Sequence, residues 1–270
     1  MLFWRFFIAV VLLGVIIGAT FNSIAKPNAR DVIKVFLFGA AFYSLSSIAY
    51  FISSEYIGSG LAMVICYSAY PAMIIFLNWL LFRNKAPKAY YLVLVCICAG
   101  ITLLANPGQF KVDVYGSFMG IISALFYAFY IVFSKKNELP PLLSSFVVSL
   151  GCMVTCFIFA LVEGTLLVPT STEVWLHLLG VGVICTALPI LLLLQALKHI
   201  NSDTASLLAV LEPVFVVIFG ILLLGETLTL LQILGSVILI AGGIITITTK
   251  KVDASLIKPI VKITSSNLIK

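Results

Sequence analysis

Nine apolar stretches constrain this chain more than any other feature: near 3–21, 34–54, 59–82, 89–105, 114–134, 142–162, 174–197, 204–224 and 229–249, joined by short polar connections. A helix needs roughly 17–25 residues to cross a hydrocarbon core, and every stretch reaches that range. Hydrophobic residues make up 62% of the chain and charged ones 10%, against about 45–50% and about 25% in soluble domains. The runs are continuous and lack the alternation of membrane-barrel strands. The expectation is an all-α polytopic integral membrane protein with nine transmembrane helices, no soluble domain, and a basic tail at 250–270.

Charge placement then orients it. With the tail in the cytoplasm and the helices alternating, the cytoplasmic segments hold Lys26, Arg30, Lys34, Arg83, Lys85, Lys88, Lys135, Lys136, Lys198, Lys250, Lys251, Lys258, Lys262 and Lys270. Only Arg5 and Lys111 fall on the other side. This is the positive-inside bias. The net charge of +6 therefore reports topology and attraction to anionic lipid, with the bilayer as partner and no nucleic acid implied. The first segment carries one basic residue, Arg5, and small residues near Ala19, a meagre match to a cleaved signal peptide. The basic residues that follow it favour a retained helix.

Cys66, Cys96, Cys98, Cys152, Cys156 and Cys185 all lie in apolar segments, where cysteine acts as a small hydrophobe. His177 and His199 sit near segment ends, so no metal site or other cofactor is expected. The pairs Gly14/Gly18 and Gly116/Gly120 have GxxxG spacing, which serves close packing inside the protein or a homodimer interface.

An internal repeat is visible at an offset of 142, which places Pro71 on Pro213 and Ala99-Gly100 on Ala241-Gly242. With one residue of slip, Ile57 and Ala62 match Ile200 and Ala205. The connection "RNKAPK" at 83–88 is basic while its counterpart "GETLTL" at 225–230 is acidic, so the halves run in opposite orientations. An inverted-topology repeat gives an alternating-access transporter two equivalent gates around one midplane site.

The stretch Ala196 to Ile247, "ALKHINSDTASLLAVLEPVFVVIFGILLLGETLTLLQILGSVILIAGGIITI", resembles the end of an EamA-type domain of the drug/metabolite transporter superfamily. It carries an Ala-Leu-Lys turn, a Glu-Pro-Val helix, a Leu-Gly-Glu loop and a Leu-Gly…Ala-Gly helix. Ile57 to Leu104 resembles the same pattern with Tyr70-Pro71 in place of Glu-Pro and Arg83-Asn84 in place of Gly-Glu. The resemblance implies two five-helix units, ten helices, and transport of a small metabolite with no nucleotide-hydrolysing domain. Here the first unit spans 1–106 with four helices and the second 107–249 with five. The opening "FWRFFIAVV" is similar to the family's second helix, so the first helix is expected to be missing, through a late start or a truncation.

Polar residues at helical spacing mark faces turned from lipid. Tyr43 and Tyr50 on one segment, Tyr67, Tyr70 and Asn78 on the next, and Tyr127 and Tyr130 on a third form Tyr-rich stripes, read as a substrate pathway or as interhelical packing. Gln195 joins the pathway or faces headgroups. Pro71, Pro189 and Pro213 free backbone carbonyls and serve as gating breaks or static kinks. Glu212 is the one deep carboxylate, costing about 2.5–3.5 kcal/mol unless protonated, hydrogen-bonded or wetted. It is read as a gate, a proton or substrate contact, or a fold-maintaining hydrogen bonder.

No concentrated set of nucleophiles, ligands or paired acids marks an intramembrane enzyme. The functional expectation is a secondary transporter, read as an exporter of a small metabolite such as an amino acid or related amphipathic solute, in the cell inner (plasma) membrane. A non-transporting or degenerate membrane partner is the alternative.

Overall fold

A computed structural model describes residues 1–20, 27–105, 113–224 and 229–249. The basic tail at 250–270, Lys26, Lys111 and most of the acidic connection after Leu224 lie outside the described residues. The helices in chain order are α1 (Leu2–Thr20), α2 (Ala29–Phe38), α3 (Ser44–Phe82), α4 (Lys88–Leu104), α5 (Val114–Lys135), α6 (Pro141–Val162), α7 (Thr172–Gly182), α8 (Leu188–His199), α9 (Ser202–Ala209), α10 (Glu212–Leu224) and α11 (Leu230–Thr249). No strand occurs among the described residues.

Local signals account for the helix ends. Asn28 accepts from the Arg30 N–H, Asp113 from the Gly116 N–H and Ser171 from the Val174 N–H, each satisfying an amide that the helix cannot. Thr229 and Gln232 exchange hydrogen bonds across the start of α11, a reciprocal capping box. Pro141 opens α6 at a position where a missing N–H costs nothing.

Three expectations are corrected. The segment expected at 34–54 starts at Ala29, because the Asn28 cap draws Arg30 and Asp31 into the first turn and Lys34 reaches Asp31 at 3.4 Å. The segments at 34–54 and 59–82 are joined as legs of one helical run, which turns at Gly58 where φ is +78°. The segment at 204–224 is two helices, α9 and α10, with Val210 and Leu211 between them. Pro213 has no N–H for the Ala209 carbonyl, and the helix parts there.

By length and composition, six helical runs among the described residues are fit to cross a membrane: Leu2–Ala19, Ala29–Phe82, Val114–Lys135, Pro141–Val162, Thr172–His199 and Leu230–Thr249. Lys88–Leu104 is a shorter apolar helix, and the Ala29–Phe82 run contains two of the expected segments.

Two π-helical stretches interrupt the ladders, Gly39–Tyr43 between α2 and α3 and Val183–Ala187 between α7 and α8. Each widens one turn and reaims the side chains that follow. The first delivers Tyr43 to the interior; the second precedes Pro189, which lies in the first turn of α8. Pro71 leaves α3 helical on both sides.

The bundle is held by close crossings: α3 on α5, α4 on α11, α1 on α6, and the first π stretch on α6. Small residues permit these approaches, as hydrocarbon supplies no hydrophobic drive between helices. A methyl at Gly151 would stand 2.5 Å from the Phe36 carbonyl, and one at Gly39 would stand 2.8 Å from the Val148 backbone. Gly116 and Gly120 pack inside the chain, against Tyr56 and Ile57 and against Ser53 and Ile65. Gly14 meets Phe146, whereas Gly18 has open space.

At the α4–α11 crossing the contacts are reciprocal: Gly100 approaches Leu239, and Gly242 approaches Val93 and Cys96. Arg83 ends α3 in the left-handed region, φ 53°, with its N–H returned to the Trp79 carbonyl. That conformation costs a residue with a Cβ roughly 1–2 kcal/mol. Arg83→Gly is therefore expected to raise the thermal unfolding midpoint in detergent, by about 1 kcal/mol of stability; an unchanged or lower midpoint refutes the strain.

Candidate functional site

The tyrosines of three different segments meet in the interior. Tyr43 enters from the π stretch, Tyr67 and Tyr70 from the second leg of α3, Tyr127 and Tyr130 from α5. Ring centroids lie 4.7 Å apart for Tyr43 and Tyr130, 6.2 Å for Tyr43 and Tyr127, 5.1 Å for Tyr70 and Tyr127, and 5.5 Å for Tyr67 and Tyr70. Two of these pairs, Tyr67 with Tyr70 and Tyr70 with Tyr127, are edge-to-face, the arrangement that aligns a ring's positive rim with its neighbour's negative face.

Glu212, the first residue of α10, faces this cluster. The Tyr67 hydroxyl is its hydrogen-bond donor. Glu212 is an exposed residue although protein atoms surround much of its carboxylate. The break before Pro213 places it: α9 ends, the chain turns through Val210 and Leu211, and α10 restarts on Glu212.

A second polar set lies toward the lysine-rich end of the bundle. The Asn78 amide donates to Ser202 Oγ at 2.8 Å and also to an Asp203 carboxylate oxygen. The Tyr90 hydroxyl pairs with Thr204 Oγ1 at 2.9 Å, and the Tyr70 hydroxyl donates to the Ser206 carbonyl at 3.3 Å. Asn78, Tyr90, Tyr70, Ser202, Thr204 and Ser206 are all buried. Side chains of α3 and α4 thus clamp the short helix α9. Beyond the clamp opens a cleft of about 680 Å³ lined by Lys85, Lys135, Lys136, Asn84 and Asp203 among others. Lys135 donates to the Leu197 carbonyl at 2.7 Å, and Lys136 sits 3.5 Å over the Phe82 ring.

The structure therefore brings together Tyr43, Tyr67, Tyr70, Tyr127 and Tyr130, with Glu212 hydrogen-bonded to Tyr67, places the Tyr50 ring against Phe51, and sets Asn78 apart in the clamp. Gln195 is exposed on α8 with no hydrogen bond to the tyrosines. The clamp partners Tyr90, Ser202, Asp203, Thr204 and Ser206 escaped the sequence reading. For the four on α9 the signal was the polar run "NSDTAS" directly before an apolar stretch. Arg5 lies on α1 with its Nε buried and lacking a hydrogen-bond partner.

Residues 1–106 and again 114–248 match the family described as the EamA-like transporter family, in two copies that cover nearly the whole chain. The chain belongs to that family. An uncharacterized transporter of Archaeoglobus fulgidus is 29% identical over 77% of this chain and 75% of its own length. The uncharacterized transporter YdfC of Bacillus subtilis is 22% identical over 85% and 76%, respectively. A crystal structure 17% identical in sequence, covering 90% of this chain and 85% of its own, superposes with a TM-score of 0.74, a likeness of fold alone. As an EamA-like protein this is a multi-pass membrane chain, and the tyrosine cluster and the clamp lie among its helices.

Proposed function

We propose that this chain is a secondary transporter that exports a small metabolite, an amino acid or related amphipathic solute, across the cytoplasmic membrane by alternating access. The observation that carries the reading is the pairing of an interior Tyr/Glu212 site with a polar clamp closing one end of the bundle. A transporter needs both a place for cargo within the membrane and a barrier on one side of it at a time.

Several features support an inverted repeat as the source of those barriers, with nine spans of a ten-span plan. The π stretches begin at Gly39 and Val183, close to the sequence offset of 142. Gly100 and Gly242, related by that offset, make reciprocal contacts across α4 and α11. The clamp, however, is one-sided. The counterparts of Asn78 and Tyr90 are Gly220 and Gln232, and Gln232 is engaged in the cap of α11. The counterparts of Ser202, Asp203 and Thr204 fall within Ser59, Gly60, Leu61 and Ala62, which supply no matching set. Among the described residues the lysine-rich side thus has a polar lock with no repeat-related counterpart.

Reconstitution of the full chain in vesicles with a panel of radiolabelled metabolites tests the function. Saturable flux of at least one small amphipathic solute is expected. No flux across the panel would replace the transporter by a non-transporting membrane partner. Glu212→Gln keeps the hydrogen bond to Tyr67 and removes titration, so any proton-coupled flux is expected to lose its pH dependence. Flux that keeps the same pH profile in Glu212→Gln ends the coupling role and leaves Glu212 as a gate or fold contact.

A further inference from the structure

The cleft of about 680 Å³ beyond the clamp gathers charge that the clamp does not use. Lys85 lines it from the connection between α3 and α4, and Lys135 and Lys136 line it from the end of α5. Asp203 is the one acidic residue of the lining, and a carboxylate oxygen of it already accepts from the Asn78 amide. Lys85 and Lys136 are exposed, and neither has a carboxylate partner among the described residues. Other lysines at this end of the bundle are engaged outside the hollow: Lys34 pairs with Asp31, and Lys198 donates to the Asn137 carbonyl.

Two helices also begin on this wall. Pro87 precedes α4 and Asn201 precedes α9, both line the cleft, and neither side chain caps the helix that follows it. Uncapped first-turn amides and the positive end of the helix dipole add to the attraction for an anion. The type of cation narrows its class. Among the described residues no arginine lines the cleft, so the planar fork that suits a carboxylate is missing, whereas lysines bind phosphate as point charges. A phosphomonoester brings about 1.5–2 negative charges and three acceptor oxygens to such a group of donors. The volume lies within the roughly 300–1,000 Å³ of small-molecule sites. Phe82 and Val132 give the lining an apolar part for the rest of the molecule.

We infer that this cleft binds a phosphomonoester, carried by a lipid headgroup or by a soluble molecule, and that the bound anion holds α9 in its clamp. Asn78, Tyr90, Ser202 and Thr204, which make the clamp, are themselves part of the lining. Release of α9 removes that wall, so an anion that binds the intact cleft favours the clamped state by linkage. The site is separate from the tyrosine cluster, since Tyr43, Tyr67, Tyr70, Tyr127 and Tyr130 are not among its lining residues. Occupancy acts as a brake on transport from the lysine-rich side. That consequence rests on the transporter reading, whereas binding and clamping do not.

The test uses the purified full chain in phosphatidylcholine nanodiscs and reads hydrogen exchange of the amides in 202–209. One arm adds glycerol 3-phosphate in solution. The other replaces a minority of the lipid with phosphatidic acid, with phosphatidylserine as the control for negative surface charge. In the arm that supplies the ligand, exchange in α9 is expected to slow about tenfold at ten times the half-saturating amount, with α6 unchanged. Slowing by glycerol 3-phosphate assigns a soluble ligand, and slowing by phosphatidic acid beyond phosphatidylserine assigns a headgroup. Lys85→Gln combined with Lys136→Gln is expected to raise the half-saturating amount at least about tenfold, the size of one charge-assisted hydrogen bond. Arg30→Gln combined with Lys88→Gln removes equal charge from exposed residues outside the lining and is expected to leave that amount unchanged.

Exchange in α9 that neither probe slows overturns the inference without any variant. So does slowing by phosphatidylserine equal to that by phosphatidic acid, with none by glycerol 3-phosphate. Equal weakening by the two double variants also overturns it, since surface charge alone would then account for the effect. The vesicle panel separates the two readings. Slowed exchange with no flux of any solute keeps the anion site and removes the transporter, while flux with no effect of either probe on α9 does the reverse.

Discussion

Gly151→Leu is expected to prevent assembly of the helical bundle. A Cβ at Gly151 would lie 2.5 Å from the Phe36 carbonyl oxygen and 2.9 Å from the Ala40 amide nitrogen, so the clash is with backbone on both sides. Overpacking that flexible side chains can absorb costs about 1–3 kcal/mol, and a backbone clash at a helix crossing exceeds it. The crossing also holds the π stretch against α6, with the Thr155 hydroxyl donating to the Ala40 carbonyl at 3.0 Å and the Cys152 thiol donating to the Gly39 carbonyl at 3.3 Å. Displacing it would carry Tyr43 away from Tyr127 and Tyr130. The measurement is elution and thermal unfolding in detergent, with Gly18→Leu alongside. Gly18 has nothing within 4 Å, and its replacement is expected to change stability by less than about 0.5 kcal/mol. Monodisperse Gly151→Leu protein with an unchanged midpoint would mean that this crossing is not as close as described.

The second large effect is expected at the clamp. Asn78→Ala combined with Tyr90→Phe removes the two donors from Asn78 and the hydroxyl pair of Tyr90 with Thr204. Each lost hydrogen bond is worth about 0.5–1.5 kcal/mol, so three together shift the balance between clamped and released α9 by roughly tenfold to a thousandfold. Hydrogen exchange of the amides in 202–209 reads this directly. The double variant is expected to exchange there at least about tenfold faster, with α6 unaffected. Its transport should also become leaky, since the barrier on the lysine-rich side is the one loosened. Exchange in α9 as slow as in the unaltered protein would show that the clamp is incidental packing.

Much of the fold was legible because hydropathy acts residue by residue. Among the described residues most of each expected apolar stretch is helical, in six runs fit to cross a membrane and one shorter helix, and the basic connections mark one end of the bundle. The legs of α3 and the parting of α9 from α10 were less legible. Gly58 and Pro213 both signal a disturbance, but only neighbouring helices decide whether the chain turns, parts or runs straight on. Pro71 illustrates this, since α3 continues through it while the matched Pro213 follows a break.

The site was legible in its residue types and poorly legible in its pairings. Tyr stripes could be assigned to faces from period alone, but a face has no named partner until helices cross. Asn78 read as one more pathway residue; its amide is taken up by Ser202 and Asp203, more than a hundred residues along the chain. Arg5 read as a topological exception, since charge bias records which side a residue is on and not which way its side chain turns.

The amino-acid sequence by itself determined that the chain enters a bilayer, which end carries the lysines, that its halves resemble one another and that it is similar to EamA-type transporters. These follow from composition, charge order and spacing, which hold without knowledge of contacts. Only the tertiary structure decided that five tyrosines from three segments meet in one cluster, that α9 is clamped from α3 and α4, and that the Nε of Arg5 is buried. Each of these depends on helix crossings, and the crossings are set by small residues such as Gly39, Gly100 and Gly151 whose significance appears only when another backbone lies against them.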